Sequence, residues 1–251
     1  MSRAIELRNG KAKKALRAKR GEPLPRAIAR IRRERTTLAR RGWVLAGNAD
    51  LGPGTEAPIV LTPAERRLLA RVPSSIFDRR ELAAMLAEPG DYSGGVAFVR
   101  GARVVHGDLD GARYAALVVF GDLDVQGVLT QLDEEPVVIV TGDLKARDLI
   151  VTGALFVGGD LSVEGTAYFE GTHGGARVGG NVRAASVVLD ALSLEVGKKV
   201  RAPVLAREPE LLHPRALRKA AIRPWPVGVE ADAFPHFRDV EARLLLGLPP
   251  R

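Results

Sequence analysis

From Val96 onward, apolar and polar positions alternate. Around each Gly-Asp or Gly-Asn pair, the residues two before, two after and four after are apolar or small, while those one and three after are mostly polar. A period of two puts every second side chain on one face of a strand. Aligned on Gly107, Gly121, Gly142, Gly159 and Gly180, the position two before is Val105, Val119, Val140, Val157 and Val178. The position two after is Leu109, Leu123, Leu144, Leu161 and Val182. The intervals are 14, 21, 17 and 21 residues. Further short apolar runs lie between these units, at 117–120, 137–140, 149–151, 154–157 and 187–189. Two or three short strands cannot bury an apolar face alone, but stacked units share one core. The pattern therefore predicts a mainly β chain. Its centre, residues 96–200, reads as a single-stranded, right-handed β-helix (a solenoid) with the ten Val and Leu positions as its core columns. Glycine at the alignment point fits a bend or a close approach of another backbone.

The flanks read differently. Residues 1–47 form a basic arm expected to hold one or two helices. Pro25 suits a first helical turn and Gly42 a stop, with Leu24, Ile28, Ile31 and Leu38 in a narrow stripe between them. Residues 48–95 read as a linker and short capping helices. Thr62-Pro63-Ala64-Glu65 is a capping box, Asp78 opens a second helix, and Pro89-Gly90 ends it. Residues 201–251 are rich in proline, with helical pieces expected at 214–221 and 237–246. α-Helical segments are thus expected to cap the coil on both sides, because an open solenoid end exposes unpaired backbone groups.

Charge sharpens this division. The net charge is +8, yet residues 1–41 alone hold 15 lysines and arginines against three acids. The arm is attracted to DNA, RNA, an anionic membrane or an acidic face of its own body, with Lys11, Lys13, Lys14, Arg17, Lys19, Arg20, Arg30, Arg32 and Arg33 as the residues that would meet the anion. Residues 1–41 hold no aromatic residue, which argues against base stacking. Aromatics are only 5% of the chain, so the core must be aliphatic. Trp225, Phe234 and Phe237 concentrate in the tail and either pack it down or form a protein-docking patch. With no cysteine, disulfides, thiolate metal sites and a cysteine nucleophile are excluded. No apolar run approaches the ~20 residues of a membrane span, and the start has no signal-peptide pattern. A cytoplasmic location is expected.

Candidate chemistry is sparse. Asp108, Asp110, Asp122 and Asp124 would form a four-carboxylate cluster if their rungs were adjacent, a surface suited to a hard cation or to catalysis on a polysaccharide. The next rungs carry Lys145, Ser162 and Arg183 at the equivalent position, which favours a solvated charge ladder. His106, His173, His213 and His236 lack any metal-ligand spacing. Neither a phosphate loop nor a nucleophile elbow is present. No cofactor, metal or catalytic residue is expected.

The stretches GDLDVQG, VTGDLKARDLIVTG and VGGDLSVEG resemble the rungs of bactofilin-type, polymer-forming β-helix proteins over residues 98–200. The resemblance implies a non-enzymatic scaffold that self-assembles into filaments or oligomers through the ends of the helix. Two features depart from that pattern: rungs of unequal length, with insertions at 131–136 and 170–175, and substantial flanking segments. The other readings are a binder of an anionic polymer through the arm, an adaptor or immunity-type protein-binding module, and, least favoured, a carbohydrate-active enzyme.

Overall fold

A computed structural model describes residues 5–9, 11–17, 19, 22, 24–39, 41, 44–45, 51–131, 136–170, 175–189, 192–206 and 222–224. Its centre is a β-solenoid of about five turns. Each complete turn lays down three short strands, one on each side of the coil. The first side is a six-stranded sheet of Val96–Arg100, Ala116–Phe120, Val137–Val140, Ala154–Val157, Ala176–Val178 and Leu194–Val196. The second runs through Arg103–Val105, the starts of the long strands Leu123–Gln131 and Leu144–Val151, then Leu161–Val163, Val182–Arg183 and Val200–Arg201. The third takes Leu109–Asp110, the ends of the two long strands, then Thr166–Phe169, Ser186–Leu189, Val204–Ala206 and Ile222–Pro224. The coil thus continues past residue 200, where the sequence pattern ends it.

Pairing along each side is parallel, so like residues stack. Val119, Val140, Val157, Val178 and Val196 stand one above another on the first side. Leu123, Leu144, Leu161, Val182 and Val200 do so on the second. All ten are 5% exposed or less. The first aligned rung requires correction. Leu123 stacks on Arg103, not on Leu109, and Val119 stacks on Val99, not on Val105. Val105 instead pairs with Val125, and Leu109 starts a column on the third side through Leu129 and Leu149 to Ala167. Both are fully buried, but in other columns. Gly107-Asp108 copies the sequence of the Gly-Asp corner while lying at the next corner of the coil. The odd interval of 14 residues was its trace.

The outward face of the first side explains the helices. Apart from Arg100, its outward residues over the first four strands are apolar, among them Val96, Ala116, Val118, Phe120, Val137, Ile139, Ala154 and Phe156. They form one core with Leu69, Val72, Ile76, Leu82, Met85 and Leu86 of the helical segment. Helix α1 is Leu24–Ala39, α2 is Pro63–Leu69 and α3 is Arg79–Ala87. α2 and α3 therefore cover a flank of the coil. On the last two strands of that side, Arg177 and Glu195 occupy outward positions and pair with each other at 3.1 Å. The expected capping box is present: Thr62 N–H donates to Glu65 and Glu65 N–H donates to Thr62 Oγ1. Glu65 also receives Arg100 Nε at 2.6 Å, which ties α2 to the first strand of the coil. This bond, followed by the Thr62 N–H, lowers the Glu65 pKa to about 2.

The basic arm holds one expected helix, α1, but its first part is a sheet. Ile5–Asn9 and Ala12–Leu16 pair as an antiparallel hairpin, with Val44–Leu45 on the other edge of the first strand. Asn9-Gly10 is the short hairpin signal that accounts for this. Leu7 and Leu16 of the hairpin are buried, as are Ala27, Ile31 and Leu38 of α1. Trp225, Phe234, Phe237, the two expected C-terminal helices, Arg20, His173, His213 and His236 lie outside the described residues.

Candidate functional site

The Gly-Asp pair is a structural device. At one corner of the coil, Asp122 Oδ1 accepts the backbone N–H of Asp143 (2.8 Å), Asp143 Oδ1 accepts that of Asp160 (2.7 Å), and Asp160 Oδ1 accepts that of Asn181 (2.8 Å). Each carboxylate satisfies a backbone donor one turn further on, where a corner would leave it without a strand partner. The bonds from the Asn181 backbone, then from its side chain, hold the Asp160 carboxyl below the usual carboxylate range. The glycines follow from the same geometry. A Cβ on Gly142, Gly159 or Gly180 would stand 2.1 Å from Oδ1 of Asp122, Asp143 or Asp160 in the preceding turn. Asp at one turn thus demands Gly at the next. Asp108 and Asp148 act alike at the next corner, accepting from Val128 N–H (2.9 Å) and Thr166 N–H (3.0 Å).

The four-carboxylate cluster is not formed. Asp108 and Asp110 begin the third side, whereas Asp122 and Asp124 begin the second. Asp108 and Asp122 are hydrogen-bonded to backbone on different corners. Among the described residues no group of three or more His, Asp or Glu is placed to hold a metal. His106 is exposed and lies 2.9 Å from Gln126 Oε1.

Two cationic surfaces stand out. The first is the N-terminal unit, where Lys11, Lys13, Lys14, Arg17, Lys19 and Arg33 are exposed and Arg8 pairs across the hairpin with Lys13. Arg30 belongs to the fold instead. It donates to both carboxylate oxygens of Glu22 at 2.9 and 2.8 Å and to the Arg17 carbonyl. These bonds, with the Lys19 N–H second, lower the Glu22 pKa to about 2. Arg32 lies on α1, with its side chain outside the described set.

The second surface is the outward face of the second side, where one column reads Asp124, Lys145, Ser162, Arg183, Arg201. It runs along a groove that Arg147, Glu164, Ala184 and Ala185 also line. The sequence pattern indicated its first members, but Arg201 follows Lys198-Lys199 without a Gly-Asp pair and was invisible to the motif.

Comparison of the chain with protein-family models, curated proteins and solved structures found no match in any of the three. The bactofilin resemblance therefore rests on the repeat alone. No described helix is long and apolar enough to cross a membrane.

Proposed function

We propose that the chain is a non-catalytic scaffold, a stiff solenoid that works as a discrete particle and presents charged surfaces to its partners. One observation carries this reading. Most inward residues of the outer turns are as dry as those of the middle: Val105 and Leu109 near one end, and Leu194, Val196, Val200 and Val204 near the other, are all 5% exposed or less, while Val99 is half-buried and Arg103 exposed at the head of their columns. A solenoid that grows by stacking its ends leaves the terminal apolar column open for the next copy. Here most of the apolar column is already covered. At the first end, Thr55 bridges Val96, and the Tyr114 hydroxyl donates to the Gly52 carbonyl. The winding is taken as right-handed, as nearly all parallel crossovers are. Light scattering with negative-stain microscopy tests the reading: particles of constant mass on dilution are expected, and filaments that lengthen with concentration would overturn it.

Self-assembly of bactofilin type through the coil ends is the second reading. The strand Leu194–Val196 favours it, because its outer edge has no strand partner among the described residues. The exposed lysines of the hairpin support a third, attachment to a nucleic acid or an anionic membrane. In that case Lys13→Ser/Lys14→Ser would abolish a binding that also falls steeply with salt.

A further inference from the structure

We infer that the groove on the second side of the coil is a binding site for a linear acidic polysaccharide lying parallel to the solenoid axis. Lys145, Ser162, Arg183 and Arg201 occupy one column, one residue per turn. Successive turns are about 4.8 Å apart, so the column presents cations and a hydroxyl at a short, regular spacing. Arg183 and Arg201 are direct neighbours in the parallel ladder. Like charges in that position destabilise a sheet. The nearest relief is Asp160, 3.9 Å from Arg183, while Lys145 and Arg201 make no ion pair with any described residue. Arg147 stands at the groove wall but is spent on Asp148 at 2.9 Å. Elsewhere on the coil Arg177 pairs with Glu195 and Arg100 with Glu65. In this column Asp124 sits beside Lys145 at one end, but Arg183 and Arg201 stack cation on cation with only Asp160 near, at the expense of stability, and a bound anion removes that expense.

The rest of the lining selects among polyanions. Asp124, Gln126, Ser162 and Glu164 border the cations. Carboxylates and an amide carbonyl accept hydrogen bonds from sugar hydroxyls, donors that a phosphodiester backbone supplies sparsely. No aromatic side chain lines the groove, so it offers no platform for nucleobases. Ala184 and Ala185 keep the floor low beside Arg183 and Arg201, leaving room for a chain to lie against the ladder. A polymer carrying both carboxylates or sulfates and free hydroxyls fits these groups.

The test uses the full chain with polygalacturonate, hyaluronan and chondroitin sulfate, with dextran and an oligothymidylate as controls, by calorimetry at about 50 mM and about 300 mM salt. At least one acidic polysaccharide should bind at low salt and weaken at high salt, and dextran should not bind. Lys145→Ser/Arg183→Ser/Arg201→Ser should lower that affinity about tenfold or more, through the lost charge-assisted hydrogen bonds. Lys13→Ser/Lys14→Ser should leave it unchanged. Without ligand the triple variant should melt no lower than the parent, and Arg201→Ser alone should melt higher. The inference is overturned if none of the three polysaccharides binds, if the triple variant binds them as the parent does, if oligothymidylate binds more tightly through these residues, or if Arg201→Ser melts lower. Particle mass is untouched by each of these outcomes, so this inference and the scaffold reading fail separately.

Discussion

The interlock between Gly159 and Asp143 allows a quantitative test of the corner. Asp143 is exposed, and its Oδ1 accepts the Asp160 N–H at 2.7 Å. A charge-assisted bond of this kind contributes about 1.5–3 kcal/mol when sheltered, so at an exposed corner Asp143→Ala should cost about 1 kcal/mol. In Gly159→Ala the new Cβ meets that same Oδ1 at 2.1 Å and the Gly142 carbonyl group at 2.9 Å. The backbone at Gly159 is not in the left-handed region, so alanine carries no dihedral strain. Displacing the carboxylate forfeits the bond, and easing the backbone contact adds roughly 1–2 kcal/mol, which reduced chain entropy in the unfolded state partly offsets. Gly159→Ala should therefore cost about 2 kcal/mol. In the double variant the bond is lost only once, so the total should fall about 1 kcal/mol short of the sum of the singles, inside the range seen for coupled neighbours. Urea titration followed by circular dichroism measures all four corners of the cycle. For a chain of this size each kcal/mol should also move Tm by about 2–4 °C. If the two costs add to within about 0.3 kcal/mol, the carboxylate does not dictate the glycine and the account of the motif is wrong.

Three other outcomes follow from the packing. Leu144→Asp places a carboxylate without a partner in the dry column, where Leu144 is 0% exposed. It should unfold the coil, read as loss of the β circular-dichroism signal, since an unpaired buried charge costs several kcal/mol. Phe156→Ala removes an aromatic ring from beneath α2 and α3. Stability should fall by about 3–5 kcal/mol, and limited proteolysis should cut within residues 63–87 before it cuts the coil. The folded Glu65 carboxyl is depressed to about 2 from an ordinary 4.5, so its contribution is complete above about pH 4.5 and is lost as pH falls through 2. Melting temperature should decline over that window, and Arg100→Met should shallow the decline. An unchanged slope would show that the Arg100 contact does not set that pKa.

The alternation of Val, Gly and Leu was enough to establish stacked strands, because a period of two with like residues in each unit has no other way to bury its apolar face. The helix starts at Thr62 and Asp78 were equally legible, since capping depends on residues a few positions apart. Three matters depended on the three-dimensional winding. Gly107-Asp108 matches the motif locally, but which corner it occupies depends on the length of the whole turn, and only the register with Leu123–Gln131 decides that. The apolar outward residues Val118, Ile139 and Phe156 read as strand core until the sheet acquires a second layer, so the flank position of α2 and α3 had no local signal. The stack of Lys145, Ser162, Arg183 and Arg201 joins residues from four turns. Charge along the chain is mixed there, and only winding sets cation on cation. Local periodicity determined that a dry column exists, because burial of alternate side chains is a short-range demand. The helical layer on its flank and the charges on its faces were settled by tertiary structure, because they depend on segments far apart in the chain being brought within contact distance.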